Sequence, residues 1–199
     1  MYKDTTASLF DSFAALLEYP ASDFGHEAGR CLDLMRTINP EAAESLQRFA
    51  NFIEENSLQR MQELFTTTFD MQPVCYPYVG FHLYGESYKR GAFMAQLNEA
   101  YHGIGYSAEQ ELPDNLAVIL RFIGFDSENR YSEFSQALLS DGVLPSLEKM
   151  LKVFGEGSEN PYFGLLTALN LFVVESKFST QLHCVETGDT ICQANRTVA

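Results

Sequence analysis

Residues 160–174 read Asn160-Pro161-Tyr162-Phe163-Gly164-Leu165-Leu166-Thr167-Ala168-Leu169-Asn170-Leu171-Phe172-Val173-Val174. An Asn-Pro pair suits a helix entrance, with Asn as N-cap and Pro at the first helical position. Tyr162, Leu165, Leu166, Leu169, Phe172 and Val173 follow at helical spacing, and Leu171, Val174 and Phe178 carry apolar character around the other side. A helix apolar on most of its faces belongs at the centre of a helical fold. The pattern predicts a central helix over 161–179. After Thr180 the periodicity fades, so residues 1–180 read as one domain and 181–199 as a flexible C-terminal tail.

The rest of the chain supplies helices to surround it. Leu9, Phe10, Phe13, Leu16 and Leu17 fall on one face of a first helix that Pro20 closes. A second is expected over about 22–37. Asn39-Pro40-Glu41 opens a third, carrying Ala42, Leu46, Phe49 and Ile53, and Ser57 caps a fourth with Leu58, Met61, Phe65 and Phe69. Short links among these four predict an antiparallel N-terminal bundle. Further helices are expected from Glu86 to Tyr101, from Asp114 through Ile123, and near 128–140 and 144–154. No strand pair and no repeat stands out. The fold class is all-α, a single-domain bundle of about nine to ten helices.

A chain of 199 residues buries roughly 70% of its unfolded surface, so it needs neither metal nor disulfide for stability. Cys31, Cys75, Cys184 and Cys192 form no C-x-x-C pair, and the four His are scattered, so no metal site or cofactor is expected. The formal charge of −14 divides as −7 over 1–70, −2 over 71–125 and −5 over 126–199. That field opposes nucleic acid and anionic lipid and favours a basic partner. No apolar run approaches the roughly 20 residues that span a bilayer, and no signal peptide is visible. A cytoplasmic protein with reduced thiols is expected, as monomer or dimer.

Two segments interrupt the helical monotony. Residues 71–85 hold Pro73, Pro77, Gly80, Gly85 and a run of aromatic rings, which predicts an irregular loop packed on the body or on a ligand, the body being the commoner case. Residues 84–94, Tyr-Gly-Glu-Ser-Tyr-Lys-Arg-Gly-Ala-Phe-Met, and 111–115, Glu-Leu-Pro-Asp-Asn, bracket a helix without any catalytic set. Glu86 and Arg90 are four apart in the favourable order for a helix pair. Gly91 inside a helix suggests close approach of another backbone, from within the fold or from a bound peptide. Pro113 sets the entry to the next helix, and Asp114 is expected to cap it. Glu111 beside Leu112 offers an acid and an apolar contact together. No phosphate loop, nucleophile elbow or zinc-protease motif is present.

These two segments resemble those of the NarJ/TorD/DmsD family of redox enzyme maturation chaperones, closest to the NarJ branch. Leu64-Phe65 through Phe69-Asp70 match the helix before the Pro-rich loop. Gly85, Glu86, Ser87, Arg90, Gly91 and Met94 match the central motif, then Leu97, Tyr101 and Glu111-Leu112-Pro113-Asp114. Asn115 stands where His is common. The resemblance implies an all-α protein without turnover. It implies binding of the N-terminal segment of an apo molybdoenzyme catalytic subunit, with help in molybdenum cofactor insertion. Glu86, Tyr88, Arg90, Leu112, Pro113, Asp114 and Asn115 are then the expected client-binding or groove-supporting residues. Two other readings stay open: an all-α regulator that senses a small apolar molecule among Phe and Tyr, and a small enzyme using Cys75 and His82.

Overall fold

In the computed structural model, residues 4–108, 111–126, 130, 132–155 and 157–187 are described, the last eleven as backbone alone. Most of the helices begin where a side-chain cap or a proline places them. Helix α1 (Thr5–Leu16) starts at Asp4, whose carboxylate accepts from the amides of Thr6 and Ala7 at 3.0 and 3.4 Å. Helix α2 spans Phe24–Ile38, and α3 spans Pro40–Glu55 with the Asn39 side chain accepting from Ala42 N at 2.9 Å. Ser57 caps α4 (Leu58–Phe65). Then come α5 (Val79–Tyr84), α6 (Tyr88–Gly103), α7 (Leu116–Phe125), α8 (Glu133–Ala137), α9 (Leu144–Phe154) and α10 (Pro161–Thr187). The described residues are thus all-α, with one isolated antiparallel bridge between Tyr78 and Asn115.

Two departures from simple periodicity have a local cause. After α4 the backbone widens into a π-helical turn over Thr66–Asp70, closed by Met71 N donating to Thr66 O at 2.9 Å. The hydroxyls of Thr66 and Thr67 donate to the carbonyls of Gln62 and Glu63 at 2.9 and 3.0 Å, competing with the backbone amides for those acceptors. A second π-helical stretch, Leu138–Val143, joins α8 to α9. The expected loop over 71–85 is in fact part helix, since α5 occupies Val79–Tyr84. Helix α10 continues beyond 179 to Thr187; residues 188–199 of the expected tail lie outside the described residues.

The core runs the length of the molecule. Tyr162, Leu165, Leu166, Leu169, Phe172 and Val173 of α10 are buried, and Phe172 packs on Phe10 and Phe13 with ring centroids 4.9 and 5.7 Å away. Phe49, Phe65 and Phe69 surround Tyr162. The four N-terminal helices do not close on themselves as a separate bundle. Helix α1 packs against α7 as well as α2, and α3 packs most heavily on α10. Their apolar faces exceed what four short neighbours can cover, so the C-terminal helices complete the burial.

Helices α3 and α10 touch through backbone. A Cβ at Gly164 would lie 2.6 Å from the Ser45 carbonyl oxygen. Gly164→Ala gains roughly 1 kcal/mol of helix propensity but overpacks an interface whose obstructing atom cannot rotate away, at about 1–3 kcal/mol. A net loss of stability is expected in urea titration, and an unchanged midpoint would contradict the close contact.

The end of α7 is closed by a side chain the sequence reading passed over. Arg130, 2% exposed, donates to the carbonyls of Ile123 and Gly124 at 3.1 and 3.3 Å and pairs with Asp4. It ties the start of α1 to the finish of α7. Burial pushes the Asp4 carboxyl up, but Arg130 and the amides of Ala7 and Thr6 together outweigh that and hold it below its ordinary 3.8. Glu27 is likewise raised by burial and lowered further by Arg30. A depressed carboxylate stabilises the fold above its unfolded pKa, and that stability is lost as pH falls through the folded value. Melting temperature is therefore expected to drop below about pH 4, with a shallower drop in Asp4→Asn. An identical acid slope in the variant would exclude Asp4 as a contributor.

Candidate functional site

Helix α6 and the segment before α7 meet through a buried ion pair. Arg90, at 8% exposure, donates from Nε to Asp114 Oδ2 at 2.7 Å and from Nη2 to Oδ1 at 3.3 Å. Its Nη1 donates to Glu86 Oε1 at 2.8 Å. The guanidinium also lies 5.2 Å from the Tyr78 ring centre and 5.9 Å from that of Phe81. Asp114 is completely buried. Paired bidentately, the two charges satisfy one another where neither could stand alone.

Backbone contacts hold the carboxylate in place. Val79 N donates to Asp114 O, and Leu116 N donates to Pro77 O, both at 2.8 Å, which forms the bridge between Tyr78 and Asn115. Helix α7 is capped by Asn115, not by the expected Asp114: Asn115 Oδ1 accepts from Ala117 N at 2.8 Å. Asp114 is turned instead toward Arg90 because the bridge fixes its backbone one residue ahead of the cap. Asn115 Nδ2 also donates to Glu111 Oε2 at 3.2 Å, and Tyr101 OH donates to Pro113 O at 2.8 Å.

Glycine usage corrects a second expectation. A Cβ at Gly91 would meet nothing within 4 Å, so no backbone approaches it within the fold. The close approach occurs at Gly80, where a Cβ would lie 2.7 Å from Asp114 Oδ2, 3.0 Å from Phe93 and 3.1 Å from Arg90 Cγ. Gly80 thus makes the room that the ion pair fills. Gly91→Ala is expected to stabilise by about 0.5–1 kcal/mol through helix propensity, the opposite sign to Gly164→Ala. Destabilisation of Gly91→Ala in the same titration would show that its surface is covered.

The seven expected residues therefore separate by burial. Arg90, Asp114 and Asn115 are interior and Pro113 is half-buried, while Glu86 is exposed, Tyr88 is 90% exposed and Leu112 is 44% exposed. The first group shapes the site and the second faces solvent. Met71, Val74, Tyr76 and Tyr84 are also exposed apolar or aromatic side chains in the segment leading to α6. Sequence reading treated that segment as packed on the body. Gln72, between the exposed Met71 and Val74, has φ +51°, a left-handed conformation.

Neither Cys75 nor His82 is set up for chemistry. Burial pushes the Cys75 thiol up to about 12, and its Sγ lies 3.7 Å from Tyr76 O. Burial also lowers His82, partly opposed by the hydrogen bond from Nε2 to Tyr76 O at 2.7 Å. A thiol so raised holds almost no thiolate near neutral pH. No group of three or more His, Cys, Asp or Glu among the described residues is arranged to hold a metal ion.

Residues 36–168, which include all of this site, match the model of the nitrate reductase delta subunit family. The chain belongs to that family. A Bacillus subtilis relative named "Probable nitrate reductase molybdenum cofactor assembly chaperone NarJ" is 29% identical over 151 residues, covering 74% of this chain and 82% of the relative. A crystal structure from Archaeoglobus fulgidus, described as a redox enzyme maturation protein, superposes with a TM-score of 0.55 at 20% identity. It covers 84% of this chain and 93% of its own. At that identity it shows a shared fold alone. Among the described residues of this delta-subunit family member, no helix is long and apolar enough to cross a membrane.

Proposed function

We propose that this protein is an assembly chaperone for a nitrate reductase-like molybdoenzyme, and that it binds the N-terminal segment of the apo catalytic subunit in the cytoplasm. The observation that carries the reading is the surface from Met71 to Tyr88 together with Leu112. Exposed apolar and aromatic side chains there accompany the exposed acids Glu86 and Glu111, on a framework fixed by the Arg90–Asp114 pair. An amphipathic helix with basic residues fits such a surface, its apolar side chains supplying affinity and the acids setting orientation. The family match and the Bacillus subtilis relative's name support the choice of client. Turnover has no place in this reading, since the thiol best placed for it is buried and protonated. Nor is there support for a small-molecule regulator. The core rings pack on one another, and two hollows among the described residues, of about 280 and 330 Å3, are open surface depressions beside Glu44 and Gln47 and beside Gln62 and Glu63, away from those rings.

Isothermal calorimetry with a peptide of the client's first residues tests it. Binding with negative heat-capacity change is expected from apolar burial. Absence of heat with every molybdoenzyme N-terminal peptide tried, alongside failure to retain the apo subunit on the immobilised protein, would remove the reading.

A further inference from the structure

We propose that α6 is a hinged cover, latched shut by Arg90 on Asp114, which lifts as a unit from the body of the folded protein. Its neighbours on both sides are fixed. Helix α5 is held to α9 by Ser146 Oγ donating to Val79 O at 3.2 Å and Lys149 Nζ donating to His82 O at 2.5 Å. Beyond α6, Tyr106 is anchored on α7, its hydroxyl donating to Val118 O at 3.2 Å and its ring 5.9 Å from Phe122. Between each anchor and α6 stands a glycine with positive φ: Gly85 at φ 62° and ψ −162°, and Gly105 at φ 71°. The Gly85 conformation is open essentially to glycine alone. A Cβ at either would meet nothing within 4 Å, so both junctions have space to turn.

The helix between them is weakly seated. Of its 16 residues only Arg90, Leu97 and Tyr101 are buried, whereas the ten-residue α7 buries eight. Its polar ties to the body are the side-chain bonds from Arg90 to Asp114 and from Tyr101 to Pro113, with one backbone bond, Tyr106 N to Tyr101 O at 2.9 Å, across the Gly105 turn. Asp114 is the stationary half of the latch, because its backbone is bonded to Val79 and its neighbours to Pro77. Arg90 is the moving half. Glu86, on the turn that travels with α6, is 78% exposed and already holds Nη1, so the released guanidinium keeps a partner. Asp114 loses its cation, and that loss is the cost the latch sets on opening.

Lifting α6 bares Phe93, Leu97 and Tyr101 beside the exposed Tyr84 and Tyr88. Resting on the chaperone reading, this is the apolar surface offered to the client segment. The opening itself is independent of any client and belongs to the local unfolding class that hydrogen exchange detects.

Hydrogen–deuterium exchange on the free full-length protein tests it. Amides of α6 are expected to exchange about tenfold or more faster than those of α3 and of α10 up to Ser176, and Asp114→Asn to accelerate α6 about tenfold again. Equal protection of the three helices in the wild type overturns the proposal. So does an Asp114→Asn variant in which α6 exchanges no faster than in the wild type. Because no peptide is present, failure of client binding in calorimetry leaves this result standing, and the reverse also holds.

Discussion

Asp114→Ala is expected to lower the unfolding free energy by about 3–5 kcal/mol, the largest effect of any single substitution in the site. The reason is the charge it would leave behind. Arg90 is 8% exposed, and two of its nitrogens rest on a carboxylate that no solvent reaches. Glu86 holds the third from the solvent side and cannot replace both contacts without withdrawing Arg90 from between Tyr78 and Phe81. Glu86→Ala, in contrast, removes a partner that is 78% exposed and is expected to change stability by less than about 0.5 kcal/mol. The pair substituted together, Arg90→Met with Asp114→Leu, is expected to recover most of the loss, since apolar side chains need no mutual charge. Urea denaturation followed by circular dichroism reads all four proteins. If Asp114→Ala falls within 1 kcal/mol of wild type, or the double variant is worse than the single, the pair is not the buried bond described.

Tyr88→Ala combined with Leu112→Ala is expected to weaken client-peptide affinity by about thirtyfold or more, the scale on which interface anchors act. Both side chains face solvent in the free protein, at 90% and 44% exposure, so thermal stability should not change. That separation of affinity from stability distinguishes a contact surface from a packing defect. Glu86→Gln in the same assay should act mainly through the association rate and its salt dependence, because a rim charge steers encounter more than it holds the complex. A double variant that binds within threefold of wild type would move the contact surface elsewhere on the molecule.

The two results bear on separate parts of one device. Asp114, Arg90 and Gly80 make the framework, and Tyr88, Leu112 and Glu86 face outward from it. All of these except Gly80 are marked in the sequence, because they lie in the two segments, 84–94 and 111–115, that carry the family resemblance. Their division of labour was not legible. Asp114 and Asn115 are both good caps, and adjacent residues with equal capping chemistry cannot be ranked by local preference. The bridge from Tyr78 to Asn115, between residues 37 apart in the chain, made Asn115 the cap and left Asp114 for Arg90. Gly91 drew attention because it lies in a helix, yet Gly80 is the glycine under steric demand. The demand arises from Arg90, Phe93 and Asp114 converging on it, and no window of sequence around residue 80 contains them.

What the chain determined by itself was most of its helices, though not α5, and the all-α class. Asn39-Pro40 and Asn160-Pro161 start α3 and α10 at the expected positions, and α9 occupies Leu144–Phe154 as its periodicity predicts. Caps, proline geometry and apolar spacing act within a few residues, so they survive in sequence alone. Which helices become neighbours was decided only by tertiary packing. Helix α1 chose α7, α3 chose α10, and α6 was left with three buried side chains between two turning glycines. Those outcomes depend on fitting whole apolar faces together and on pairing charges from distant segments, quantities that exist only once the chain has closed on itself.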